Sequence, residues 1–531
     1  MELRRRAALA AAAIVTGLLS VVLYAPYGFW PLGWLCLVPL LWAVASARTT
    51  LGAVFLGLTS GLVFRLFSIP WVVHTMMVHG SMPLPAAIGT LLLLSLYLSL
   101  YPATVAFLLR SPLKRYGPVA LLLAPFLWVS GELLQTYLIT GFPWSLLGYS
   151  QIGFLPAIQI ADITGVYGVS FVLVAFNAAV VFLLLRRREI GRREVWQPLA
   201  VVAALVIAVF TYGFVKAGDE SADGEPFDFV ILQDDLTNAE RPRSATREGN
   251  ELFIDYFGRT IDAARTGAEV IIWAEGTMVF LDMNEDSYKP WDYELDIYAL
   301  ARDEGFWLLM GSNDYYEEGA KLHNSAVTVS PFNENKPAGR YDKVHLTPFG
   351  EYVPYQFIFG WVPQVIQEIS DFDPGDEIRP IPLRDGLVGV PICYEIIFPD
   401  LVRRFVAKGA GLLVTISNDA WFGISAANEQ HFDHGVLRAV ENRRWLLRCA
   451  ATGVSGIVAP NGRVLQRTPI YERKEIRGTV AMRSGRTLYA AYGDIFSYVC
   501  FLFSASILAS LRYNRGSRAG RDALKATGSR R

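Results

Sequence analysis

Apolar residues fill the first 216 positions in long runs, near 7–25, 31–47, 51–73, 85–109, 117–140, 161–185 and 197–215, and return once more over 495–511. Each run is close to the ~20 residues that a helix needs to cross the hydrocarbon of a bilayer, the second and the last being at the short limit. The pattern predicts a multi-pass α-helical membrane bundle of about eight spans. Two runs carry an ionisable residue, Arg65 and Glu132. A charge inside a span either faces a cavity or partner or snorkels to the boundary, and both remain open here.

From Phe227 the period changes. Residues 227–232, 269–273, 307–310, 325–329, 387–392, 412–416 and 456–459 read as short strands, and 249–266, 293–304, 398–408 and 432–447 as helices between them. Such alternation predicts an α/β domain of layered sheets and helices. The expected organisation is therefore a seven-span bundle over 1–216, an α/β domain over 217–488, and a final span with a basic tail over 489–531.

Composition agrees with this division, since 53% hydrophobic and only 18% charged residues is unusual for a soluble chain of 531. The net charge of −1 conceals an uneven distribution. Arg4, Arg5, Arg6, Arg48, Arg110, Lys114, Arg115, the basic run 186–193 and the tail after Leu511 all fall at one end of the predicted bundle, whereas loops 26–30, 74–84 and 141–160 contain no lysine or arginine. Short cytoplasmic loops carry the positive charge, so both termini are expected inside and the α/β domain outside. No small-residue cleavage site precedes Tyr27, and residues 1–25 are expected to remain as a span. Because topology already explains the basic tail, no nucleic-acid partner is expected. The aromatic outer loops, with Trp30, Trp71, Trp144 and Tyr149, read as interfacial anchors or as the rim of a lipid path.

Cys36, Cys393, Cys449 and Cys500 form no C-x-x-C pair and no zinc-type cluster, so neither a disulfide framework, a metal nor a cofactor is expected. Cys393 stands apart because Val390-Pro391-Ile392 leads into it and Tyr394-Glu395 follows. A thiol at a strand-to-helix elbow would meet the helix N-terminus, whose dipole favours a thiolate. Glu275 follows the apolar run 270–274, and Lys343 follows Tyr341-Asp342. A carboxylate to take the thiol proton, a thiolate to attack a carbonyl and an ammonium to hold the oxyanion make one chemical unit.

With these residues, the chain resembles the bacterial apolipoprotein N-acyltransferases, membrane-bound members of the nitrilase (carbon-nitrogen hydrolase) superfamily. The likeness covers Ala25-Pro26-Tyr27-Gly28-Phe29-Trp30, Gly141-Phe142-Pro143-Trp144, Gly148-Tyr149-Ser150-Gln151 and Gly165-Val166-Tyr167-Gly168. It continues through the stretch 341–354 with Gly350-Glu351-Tyr352-Val353-Pro354, Ile392-Cys393-Tyr394-Glu395 and Asn418-Asp419-Ala420-Trp421-Phe422-Gly423. The resemblance implies a nitrilase-like αββα sandwich on the bundle, in the cytoplasmic (inner) membrane with the sandwich on its periplasmic side. It implies Glu275 as base, Lys343 as oxyanion partner and Cys393 as nucleophile, with Glu351, Tyr394 and Glu395 as supporting residues. It also implies a phospholipid acyl donor, a thioester intermediate, and the α-amino group of a diacylglyceryl-cysteine apolipoprotein as acceptor. A nitrilase-like amidase, an acyltransferase with another amine acceptor, and a non-catalytic lipoprotein-binding derivative are the alternatives. The sequence departs from the family pattern at Ala274, Asp234, Asp235, Pro242, Asn428 and Ala451, which bears on substrate contacts rather than on the three central residues.

Overall fold

The computed structural model describes every residue except 1, 221–222, 236–246, 280–292, 315–321, 334–335, 356–371 and 529–531. Pro242 lies outside the described residues.

The membrane part is built from α1 (Glu2–Val22), α2 (Val38–Ser46), α3 (Thr50–Ser68), α4 (Trp71–Val78), α5 (Leu84–Tyr116), α6 (Ala124–Tyr137), α7 (Val166–Arg186) and α8 (Arg193–Lys216). Among the described residues, five helical runs are long and apolar enough to cross a membrane. One of these, Leu84–Tyr137, holds both α5 and α6 with a 3-10 turn between them. The runs Trp30–Ser46 and Ile495–Leu511 are shorter. The structure therefore vouches for five spanning runs rather than for the expected count. Arg65 and Glu132 do not snorkel: both are buried in the bundle. Arg65 donates to Trp144 O (2.9 Å) and Gln135 Oε1 (3.1 Å), while Glu132 Oε1 accepts from Leu147 N (2.8 Å) and Trp128 Nε1 (3.0 Å).

Beyond the bundle, β1 (Pro226–Gln233), β2 (Val270–Trp273), β3 (Met278–Val279), β4 (Trp307–Asp314), β5 (His323–Val329), β6 (Gly339–Asp342) and β13 (Lys474–Ala481) form a seven-stranded sheet ordered β13-β1-β2-β4-β5-β6, with β3 beside β4. A second sheet orders β12 (Val464–Arg467), β11 (Gly456–Val458), β10 (Leu446–Ala450), β9 (Leu412–Ser417), β8 (Gly386–Gly389) and β7 (Ile381–Leu383). In each sheet the central neighbours, β1-β2-β4 and β8-β9-β10, run parallel.

Burial on both faces explains the continuous apolar runs of these strands. Phe229, Ile231, Val270 and Ile272 join the large core that holds the second sheet, and their neighbours Val230, Leu232, Ile271 and Trp273 pack with Phe253, Tyr256 and Tyr298. These last three lie on α9 (Arg247–Arg265) and α10 (Tyr293–Glu304). Cys449 of β10 reaches Leu232 O and Ile272 O across the sandwich, at 3.5 and 3.6 Å. Helices α11 (Pro399–Ala407) and α12 (Ala427–Asn442) contact the second sheet, completing the expected α-β-β-α layering.

Several boundaries differ from the periodicity. The helix expected over 432–447 starts at Ala427 and stops at Asn442, because Arg443 turns left-handed (φ 49°) and spends its guanidinium on Asp162. Residues 446 and 447, read as its end, instead open strand β10. The strand expected over 387–392 ends at Gly389, with only Ile392 bridging to Ile416 beyond it. Strands β6, β12 and β13 are too polar to betray themselves by period.

The aromatic and glycine motifs of the bundle dock the sandwich instead of merely anchoring it at the interface. Trp144 is 1% exposed and donates from Nε1 to Gln430 Oε1 (2.8 Å), and Gln430 Nε2 in turn donates to Ala25 O and Ser68 O. Arg438 donates to Tyr149 OH (2.8 Å), Glu441 accepts from Val166 N (3.0 Å), and Tyr394 OH donates to Gly141 O (3.2 Å). Gly141 must be glycine: φ is +75° and a Cβ would sit 2.1 Å from Thr136 O.

Candidate active site

Three strand ends bring the expected residues together. Glu275 leaves the parallel strand β2, Lys343 follows β6, and Cys393 follows the bridge between Ile392 and β9. Gly311 on β4 lets the Glu275 backbone approach, since a Cβ there would meet Glu275 Cα at 2.6 Å.

The Lys343 ammonium is 1% exposed and lies 3.0 Å from Glu351 and 3.5 Å from Glu275 Oε1. Asn324, absent from the sequence reading, donates its one amide nitrogen to Glu275 Oε1 and Glu351 Oε1, each at 2.7 Å. Backbone N–H groups complete both carboxylates: Asn418 N donates to Glu275 Oε2 and Thr347 N to Glu351 Oε2, each at 2.7 Å. Burial opposes the charge on Lys343, but Glu351 and then Glu275 more than offset it and leave its pKa raised. Burial likewise opposes ionisation of Glu351, and Lys343 with the Thr347 N–H and Asn324 overcomes it, lowering that pKa. One ammonium thus lies between two buried carboxylates.

At Cys393 the expected helix is a single 3-10 turn, Cys393–Ile397, too short for a macrodipole. Burial first, and Glu275 second, push the thiol well above its usual value, with Lys343 opposing them. The resting group is therefore a protonated thiol, contrary to the thiolate expected from the elbow. Proton removal has to accompany attack.

Cys393 is itself left-handed (φ 49°), an unfavourable conformation for a residue with a side chain. What holds it there is a set of residues of which the sequence signalled only Asp419, in the Asn418-Asp419 motif. His431 Nε2 lies 3.1 Å from Cys393 O, and a carbonyl can only accept, so Nε2 carries the proton. Burial and then Arg448 lower the His431 pKa against the opposing effect of Asp419, and Nδ1 lies 3.0 Å from both Asp419 Oδ1 and Arg448 Nη2. Asp419 accepts from Arg448 at 2.7 Å and from Ser417 Oγ at 2.6 Å; burial opposes its charge, but Arg448 and His431 hold its pKa down. Trp144 stacks on the ring, centroids 5.7 Å apart. Replacing His431 by alanine releases the carbonyl, and a shift of the thiol by about 1 Å costs on the order of 10²-fold in rate. We expect His431→Ala to lower kcat by that order with KM little changed, and His431→Gln to recover part of it by donating to the same carbonyl. Steady-state kinetics of both variants check this.

Glu395 is fully buried and ties the elbow to the Lys343 loop: Oε1 accepts from Tyr341 OH, Val344 N and His345 N at 2.8–3.0 Å, and Oε2 from Ile392 N at 2.9 Å. Burial pushes its pKa up to about 7 against these donors. Two departures from the family pattern have structural uses. Asp234 accepts from Tyr256 OH (2.8 Å), and Asn428 Nδ2 donates to Gly423 O (2.8 Å) and Ser425 O (3.2 Å), closing the loop that follows Trp421-Phe422. Nothing in the structure explains Ala451. Among the described residues no cluster of histidine, cysteine and carboxylate side chains has the makings of a metal site.

The αββα sandwich thus carries a carboxylate, an ammonium and a thiol at its strand ends. Residues 220–486 match the family model for carbon-nitrogen hydrolases, and residues 16–179 match the apolipoprotein N-acyltransferase N-terminal domain. Apolipoprotein N-acyltransferase of Geobacter metallireducens is 35% identical over 509 residues, covering 95% of each chain. That of Pasteurella multocida is 30% identical over 497 residues and 92% of each chain, and that of Methylococcus capsulatus is 30% identical over 96% of this chain and 98% of its own. The chain belongs to the apolipoprotein N-acyltransferase family.

Proposed function

We propose that the protein transfers an acyl chain from a phospholipid to the N-terminal amine of a diacylglyceryl apolipoprotein at the outer face of the bacterial inner membrane. The observation that carries this reading is the convergence of Cys393, Glu275 and Lys343 at one end of a sandwich bolted to a membrane bundle. Glu275 takes the Cys393 proton as sulfur attacks the sn-1 ester carbonyl. Lys343 and backbone N–H groups beside Cys393 hold the oxyanion. When the C–O bond breaks, Glu275 returns the proton to the departing lysophospholipid alkoxide, leaving a thioester on Cys393. The amine of the apolipoprotein then attacks that thioester, a C–N bond replaces the C–S bond, and the proton lost by nitrogen restores the thiol through Glu275.

Glu351 keeps Lys343 charged and placed, Glu395 fixes the elbow, and Tyr394 ties it to the membrane loop at Gly141. Ile424, 84% exposed beside the aromatic pair Trp421-Phe422, suits a loop that meets lipid. The positive-inside pattern supports a sandwich on the periplasmic side, and both proposed substrates carry chains that stay in the bilayer.

The test uses purified protein with a phospholipid labelled in its sn-1 chain, with and without a diacylglyceryl-cysteine peptide. Label is expected on the peptide amine, with little free fatty acid when the peptide is absent. Rapid fatty-acid release without peptide, and none on the amine, would make the protein a hydrolase.

A further inference from the structure

At the far end of the bundle from Cys393, an open cavity of about 590 Å³ is lined by Arg5, Arg48 and Arg110 against an apolar wall that includes Leu9, Trp42 and Ala45. Its position follows from α5. The Leu84 end of that helix lies beside α4, whose Thr75 Oγ1 donates to Trp421 O (2.9 Å) in the sandwich. Arg110 stands 26 residues further along α5, about 39 Å away at 1.5 Å per residue.

Two of the three guanidinium groups have protein acceptors: Arg5 donates to Ser46 O, and Arg48 pairs with Glu2. Arg110 does not. It is 9% exposed, its Nε makes no hydrogen bond, and among the described residues no carboxylate pairs with it. The positive-inside rule accounts for arginines at this end of the bundle, but it accounts for them in water. Arg110 is different, because nine-tenths of the residue is buried and its Nε is shut off from water with no acceptor, which is costly. An anion in the open cavity would give Arg110 the acceptor that the protein does not supply.

We propose that this cavity binds the phosphodiester headgroup of an anionic phospholipid from the leaflet remote from the active site. Arg110 supplies the buried donor, Arg5 and Arg48 supply the surrounding positive field, and the Leu9, Trp42 and Ala45 wall receives the glycerol and the first part of an acyl chain. Basic pockets between transmembrane helices recognise anionic headgroups in this way. A soluble phosphate would gain from the arginines but nothing from that wall. The lipid bound there is not the acyl donor, since the site is about 39 Å along α5 from the catalytic side.

Full-length protein, stripped of lipid in a neutral detergent, is titrated with phosphatidylglycerol, phosphatidylcholine or inorganic phosphate. Retention is read by native mass spectrometry and stability by thermal unfolding. We expect phosphatidylglycerol to be retained at least tenfold better than phosphatidylcholine and to raise Tm by several degrees, with inorganic phosphate doing neither. Arg110→Gln should abolish that preference while leaving acyl transfer intact. Arg48→Glu, at an exposed position, places a carboxylate in the same cavity and should abolish it too, which reads the site independently if Arg110→Gln fails to fold. Equal retention of the two lipids, an unchanged preference in both variants, or an equal Tm rise with inorganic phosphate would each overturn the proposal.

Discussion

Lys343→Met is expected to cost about 10²–10³-fold in acyl transfer and about 3–5 kcal/mol in stability at neutral pH. The activity loss follows from removing the positive group proposed to meet the oxyanion. The stability loss comes from what is left behind. Glu275 and Glu351 share both Lys343 and the Asn324 amide, and without the ammonium they become two buried like charges facing one another. At least one must then take up a proton on folding, so its pKa in the folded variant lies above its unfolded value. A carboxyl raised in this way favours the folded state below the unfolded pKa, and that advantage disappears as pH rises through the folded pKa. The variant should therefore be hurt least in mild acid and most at neutral pH. Thermal unfolding of both proteins across pH 4.5–7.5 checks the sign. A constant deficit over that range would mean that the two carboxylates are not charged together in the native site.

Cys393→Ala carries the largest effect. A thioester cannot form without the sulfur, and transfer is expected to fall to background, a loss of at least ~10⁴-fold by analogy with other deleted nucleophiles. Folding should survive, because Cys393 is itself only half-buried and alanine keeps the Cβ. Cys393→Ser is the sharper companion. Serine preserves shape and hydrogen bonding, but its hydroxyl is a far weaker nucleophile than a thiol. It too should be inactive and should carry no hydroxylamine-sensitive acyl group. Substantial turnover by either variant would remove Cys393 from the chemistry.

The sequence exposed the parts of this architecture that rest on strong local patterns. Long apolar runs, the change of period at Phe227 and the buried strands β1, β2 and β9 were all legible because burial on two faces forces continuous hydrophobicity. Arg65 and Glu132 could not be resolved, since snorkelling and pairing look alike until the partners Gln135, Trp144 and Leu147 are in place. Strands β6, β12 and β13 escaped because they lie at or beside sheet edges, where one face meets solvent and polar residues are tolerated.

At the site, Glu275, Lys343 and Cys393 were legible as residue types at strand ends, yet their electrostatics were not. The elbow implied a thiolate, but burial and Glu275 favour the thiol over a one-turn helix that has no dipole to offer. Asn324 and the Arg448-Asp419-His431 chain give no periodic signal, and their contribution rests on contacts between residues up to 49 positions apart. The docking roles of Trp144, Tyr149 and Gly141 were hidden for the same reason: their partners are more than 250 residues away.

The central claim is a covalent acyl-enzyme on one thiol, and intact-mass analysis of the purified wild-type protein with phospholipid and no acceptor tests it most directly. A mass increase equal to a single acyl chain is expected. It should map to the peptide holding Cys393, be removed by hydroxylamine, and disappear when a diacylglyceryl-cysteine peptide is added. Efficient transfer to the peptide with no acyl adduct at Cys393, or an adduct mapping to Cys36, Cys449 or Cys500, would contradict the account.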